Sequence, residues 1–178
     1  MGRTKKQLED GELAQCKRFI AWRLKQFGEQ FMIISRPNPP DFVLEFSGKQ
    51  TWLEVTDVFF DDEDVDWQLS KISAPRGILE NTDDKFINRA VEGLSKKLGK
   101  KSYLPFFNSL GKGFLLLTGR YWLIDDVLLY SLQQALRQSL SCADMGCFKE
   151  AYLECYVAGL WQYGMIYPQQ DLIEETTN

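Results

Sequence analysis

The residues best placed to do chemistry are two carboxylates set into apolar runs. The segment Phe42-Val43-Leu44-Glu45-Phe46 is entered through Pro39-Pro40-Asp41. It is followed by Thr51-Trp52-Leu53-Glu54-Val55-Thr56-Asp57-Val58-Phe59-Phe60. Both runs are rich in strand-forming residues, and the Gly-containing Ser47-Gly48-Lys49 between them reads as the loop of a hairpin. Alternation puts Leu53, Val55 and Phe59 on one face of the second strand and Trp52, Glu54, Thr56 and Val58 on the other. On the first strand Phe42, Leu44 and Phe46 share a face, and Asp41, Val43 and Glu45 share the opposite one. A carboxylate in mid-strand among bulky apolar neighbours is costly to bury unless it is paired or bound to a cation. Asp41 at the mouth of one strand and Glu54 inside its neighbour can meet on one face and hold a divalent metal.

Composition limits the chemistry further. The 178 residues contain no histidine. That excludes His-based nucleophilic catalysis, HNH-type and phospholipase-D-type nuclease chemistry and most zinc hydrolases. Hydrolysis, if present, has to run on carboxylates, a hard cation and lysine. Four cysteines (Cys16, Cys142, Cys147, Cys155) are too irregularly spaced for a zinc ribbon, and they read as thiols of a reducing compartment. The net charge of −4 does not advertise a nucleic-acid binder. The charge is segregated, however: acids gather at Asp61-Asp62-Glu63-Asp64-Val65-Asp66 and in the tail, bases in residues 3–25 and from Lys96-Lys97 to Lys100-Lys101. A local positive patch on an acidic protein is therefore expected. No apolar run reaches the length of a membrane span and the first residues carry no apolar signal core, so the expectation is a cytoplasmic protein with no membrane partner.

The positioning elements follow from periodicity. A first helix is expected from about residue 5 to 27, closed by Gly28, with Leu13, Cys16, Ile20, Leu24 and Phe27 as its apolar stripe; Lys17, Trp22 and Lys25 fall on the opposite face. Phe31 to Ile34 reads as a short strand, and the proline-rich loop that follows holds Asp41 in place. Asp61 to Asp66 lacks the glycine and terminal glutamate of a calcium loop and reads as solvated, with a short helical turn at Trp67 to Ile72. The next helix starts near residues 81–84 and runs to about Lys101, burying Ile87, Ala90, Val91, Leu94 and Leu98. Lys97 lies on the flank of that stripe and Lys101 nearer its centre. Gly113 to Thr118 is apolar throughout, as a strand buried on both faces is. A helix from Ile124 to Ser141 has Val127, Leu128, Tyr130, Leu132, Leu136 and Leu140 as its apolar positions, and strands follow at Ala151 to Leu160 and Gln162 to Tyr167. The expected organisation is one α/β domain over residues 1–168 with a mobile tail, 169–178.

The Pro40-Asp41 entry and the Glu54-Val55 pair resemble the PD-(D/E)XK nuclease-like superfamily, whose signature is Pro-Asp entering a strand and Glu-x-Lys on its neighbour. Thr56 stands where the lysine is usual, as in Glu-x-Thr subgroups that take the lysine from a following helix. The stretch from Ala90-Val91 through Lys97 to Tyr103 is similar to the lysine-then-tyrosine helix end of those subgroups. The resemblance covers roughly residues 5 to 120. It implies a restriction-endonuclease-like core, a central mixed sheet flanked by helices in the order αβββαβ, followed here by a helix and a C-terminal hairpin. It also implies Mg²⁺ or Mn²⁺ held by Asp41, Glu54, the Val55 backbone carbonyl and Glu9 or Glu12 of the first helix. Thr56 and a lysine, Lys97 first and Lys101 second, would complete the catalytic set for phosphodiester hydrolysis of nucleic acid, DNA ahead of RNA.

Two alternatives stay open at this point. The same fold without activity, a binding or regulatory module able to form a homodimer through its last hairpin, is favoured by the missing usual lysine, the acidic character and the C-terminal aromatics Tyr152, Tyr156, Trp161, Tyr163 and Tyr167. An α/β domain in which Asp41 and Glu54 are structural charges, paired with lysine or with Arg36, Arg89 or Arg120, is the plainer one.

Overall fold

The computed structural model describes residues 5–57, 82–120, 126–139, 146–157 and 160–167. The acidic run 61–66, the expected turn at 67–72, Cys142, Leu140 and the tail lie outside them. Helix α1 (Lys5–Phe27) is followed by strands β1 (Met32–Ser35), β2 (Phe42–Phe46) and β3 (Lys49–Asp57) and helix α2 (Thr82–Leu98). A 3₁₀ turn (Lys101–Tyr103) leads into α3 (Leu104–Leu110), then β4 (Gly113–Arg120), α4 (Asp126–Ser139), β5 (Phe148–Val157) and β6 (Leu160–Tyr167). The six strands form one mixed sheet in the order β1-β2-β3-β4-β5-β6. β3, β4 and β5 are parallel, and the outer pairs are antiparallel.

Local chemistry accounts for these boundaries. Ser47 and Gly48 both have positive φ, 52° and 74°, which makes the β2–β3 connection a two-residue type I′ turn whose twist matches the flanking strands. Lys49 therefore opens β3 instead of belonging to the loop. Gly28 ends α1, its N–H donating to the Leu24 carbonyl at 2.9 Å. α3 was not anticipated from the sequence; Pro105 sits in its first turn and the Gly111 N–H closes it on the Phe107 carbonyl.

Two apolar layers clamp the sheet. On one face Trp52, Leu115, Leu117, Ala151 and Leu153 meet Ile87, Ala90 and Leu94 of α2 and Leu128, Leu132 and Leu136 of α4. On the other, Phe42, Leu44, Leu53, Val55, Phe114 and Leu116 meet Cys16 and Phe19 of α1. Each fully buried side chain of this kind contributes about 1.5–3 kcal/mol over leaving it in water. Facing by alternation holds for the hairpin and for β4, and the stripe of α2 is as expected.

The stripe of α1 is so only in part: Leu13, Cys16 and Ile20 pack on the core, but its C-terminal half does not. Leu24 and Phe27 are exposed, whereas Phe19 and Arg23 are buried, and Trp22 stacks on Tyr163 with ring centroids 4.8 Å apart. The cause lies on β5, which presents carboxylates to this helix. Glu154, fully buried, receives Nε and Nη2 of Arg18 at 3.0 Å each, and Glu150 receives Arg23 at 2.7 Å. On α4, likewise, Val127 and Tyr130 are exposed although they were expected on the apolar face.

Candidate functional site

The C-terminal end of β3 gathers side chains from β2, α1, α2 and β4. Extending the β2–β3 register (Phe42 opposite Leu53) by one hydrogen-bonded pair would set Pro40 against Val55. Proline has no N–H to give, so this position cannot supply a donor to the Val55 carbonyl, which points toward the same edge as the Val55 N–H. The Val55 N–H is taken by Asp41 Oδ2 at 2.8 Å, and the Pro40 carbonyl accepts instead from Asn38 N at 2.7 Å. The ladder thus opens at the residue before β2, and the Asp41 carboxyl occupies the opening.

Glu54 projects to the opposite face from Val55, toward α2. It is 3% exposed, and Lys97 Nζ donates to its Oε1 at 2.5 Å. Its second oxygen and the hydroxyl of fully buried Tyr103 lie beside each other, neither with a well-aligned hydrogen-bond partner. Burial first, and the Glu54 charge second, push the Tyr103 phenol well above its usual range. Asp41 is pushed up to about 7 by burial and by the Glu54 charge, against the pull of the Val55 N–H bond and the Lys97 ammonium.

Glu12 of α1 completes the acidic surround. Burial raises its pKa, Arg36 opposes the shift, and Asp57, Glu54 and Glu9 add to it. Arg36 bonds Glu12 at 3.3 Å and the Glu9 carbonyl at 3.0 Å, so it is not the counter-ion of Asp41 or Glu54. A cleft of about 210 Å³ runs between α1 and β3, walled by Glu12, Gln15, Val55, Thr56, Asp57 and Lys97. A neighbouring hollow is lined by Glu9, Glu12, Arg36, Asn38 and Asp41.

The fold therefore brings together Asp41, Glu54, Val55, Thr56, Lys97 and Glu12. Lys101 is left exposed in the 3₁₀ turn, one turn past the end of α2, and Glu9 lines only the side hollow. Arg89 pairs with Glu92 on its own helix at 3.3 Å, and the Arg120 side chain is outside what is described.

Three residues of the site were missed. Asp57 Oδ1 accepts from Gln15 Nε2 at 2.8 Å and from the Thr118 hydroxyl, and Gln15 Nε2 also reaches Thr118 Oγ1 at 3.0 Å. The available signal was Gln15 itself, a polar residue beside Cys16 on the buried side of α1, together with the odd parity of Asp57, which sends it toward that helix.

Among the described residues no group of three or more Asp, Glu or Cys side chains is arranged to hold a metal ion. What is present is two carboxylates, one with a buried oxygen shared only with the Tyr103 hydroxyl and one raised in pKa by burial and its acidic neighbour, beside the backbone of Val55 where the ladder opens. These are hard oxygen donors, the kind that Mg²⁺ or Mn²⁺ accepts while keeping several waters. No family model, curated protein or solved structure matches this chain.

Proposed function

We propose that the protein is a divalent-metal-dependent phosphodiester hydrolase of the PD-(D/E)XK nuclease-like type, acting on nucleic acid. The observation that carries the reading is Lys97 on α2 reaching Glu54 at 2.5 Å. With Thr56 in the usual lysine position, a nuclease of this kind needs an ammonium group delivered from elsewhere to this carboxylate. Asp41, Glu54 and the Val55 carbonyl would hold Mg²⁺ or Mn²⁺, with Glu12 the nearest further acid. When bound, the ion supplies a water of lowered pKa and neutralises charge on the phosphoryl oxygens.

The chain's own residues have separate tasks. Burial and the Glu54 charge push the Asp41 carboxyl up to about 7, and a cation held beside it would favour the ionised, ligating form. Lys97 fixes Glu54 and presents an ammonium at the cleft wall, where it can steady a phosphoryl oxygen. Thr56 lines the same wall and offers a hydroxyl donor with no charge, so it orients but does not replace lysine. The buried Asp57–Gln15–Thr118 network fixes the end of β3 against α1 and holds the wall of the cleft still.

A second reading, the same fold as a catalytically degenerate binding or regulatory protein, is favoured by the ion pair itself. Lys97 and Glu54 neutralise each other without an ion. Thermal unfolding with Mn²⁺ or Mg²⁺ separates the possibilities. Ten-millimolar-range metal should raise the Tm of the parent protein and leave Asp41→Asn and Glu54→Gln unmoved. Incubation with plasmid and single-stranded oligonucleotides should then give metal-dependent cleavage that Lys97→Ala abolishes. A metal response without cleavage selects the degenerate module; no metal response in the parent protein ends the hydrolase proposal.

A further inference from the structure

At the opposite end of β3 the charge changes sign. A cleft of about 330 Å³ opens beneath the β2–β3 turn, with Lys49, Lys112, Lys149 and Thr51 on its polar wall and Phe31 and Phe46 on its apolar one. Its size is that of a small-molecule site. Thr51 is 7% exposed, and its hydroxyl is buried with no hydrogen-bond partner. A buried hydroxyl left unmatched is a cost that a ligand can remove. One acid, Glu29, shares the wall, but its carboxylate is held by the buried guanidinium of Arg23. Lys149 Nζ stands 4.1 Å from the centre of the Phe114 ring. Burial lowers its pKa, and Arg23 adds to this while Glu150 and Glu29 oppose it.

We propose that this cleft binds a nucleoside diphosphate, its phosphate oxygens accepting from the three ammonium groups and the Thr51 hydroxyl while its organic body lies against Phe31 and Phe46. Lysine serves phosphate as a point charge, and the wall carries more ammonium than carboxylate. Thr51 and Val55 are four residues apart on one strand, about 13 Å at the rise of a β-strand. The acid cleft therefore takes no part, and the proposal stands or falls independently of the hydrolase reading.

Adenosine diphosphate and pyrophosphate titrated into the full chain in EDTA, followed by calorimetry and thermal unfolding, test it. Chelation removes any binding that runs through a cation at Asp41 and Glu54. Both ligands should bind, adenosine diphosphate more tightly, and more weakly as salt rises. Lys49→Gln and Lys149→Gln should each weaken binding about tenfold, the worth of one charge-assisted hydrogen bond. Thr51→Val should keep or raise the Tm of the unliganded protein and still weaken binding about tenfold. Exposed Lys49→Gln decides the matter should the Thr51 variant not fold. Absence of binding in the parent chain, affinity indifferent to the lysine substitutions, or loss of binding in Asp41→Asn with the lysine variants unaffected would each overturn it.

Discussion

At the residue scale the decisive pair is Glu54 with Lys97. Their side chains are 5% and 16% exposed, so each charge depends on the other for what water would otherwise supply. Lys97→Ala should cost about 3–5 kcal/mol in urea unfolding, because it leaves a buried carboxylate alone. The double variant Lys97→Met with Glu54→Gln should recover a large part of that loss. Asp41 carries the opposite message. Its folded pKa of about 7 lies above the unfolded value, so the folded state holds the proton more tightly. The stability Asp41 contributes is fully present below about pH 4 and is lost as pH rises through about 7. Asp41→Asn should flatten that part of the stability–pH curve, and saturating Mn²⁺ should reverse its slope in the parent protein.

At the element scale, the sequence was legible where periodicity and turn chemistry act locally. The hairpin, the α2 stripe and the placement of Lys97 on the flank of that stripe all followed from spacing within one or two turns or strands. α1 was legible in extent and, at Leu13, Cys16 and Ile20, in facing, but not at Arg18 and Arg23, whose partners Glu154 and Glu150 lie more than a hundred residues away in the chain. Asp57 was hidden in the same way, its partners lying 42 and 61 residues off on α1 and β4. Such polar pairings override an apolar stripe and leave no mark within a local window. β4 shows a tertiary constraint of another sort. A Cβ on Gly113 would lie 2.3 Å from the ring of Trp52, which is fully buried and donates to the Gly111 carbonyl at 2.9 Å. Gly113→Ala should therefore cost about 3 kcal/mol by thermal or urea unfolding, as overpacking against an immovable ring does.

At the scale of the whole molecule, Glu9, Glu12, Asp41, Glu54 and Asp57 surround the C-terminal end of β3, and Lys49, Lys112 and Lys149 its beginning. Without divalent ions the acid end repels phosphate, so any retention of a duplex oligonucleotide in EDTA should run through the lysine end, and Mn²⁺ should add a second, Asp41-dependent component. Among the described residues, then, the two ends of β3 present different chemistry, oxygen donors at one and three lysines at the other. Replacing Lys49 and Lys112 with glutamine should then weaken any retention of the protein on a phosphate-bearing resin at low salt.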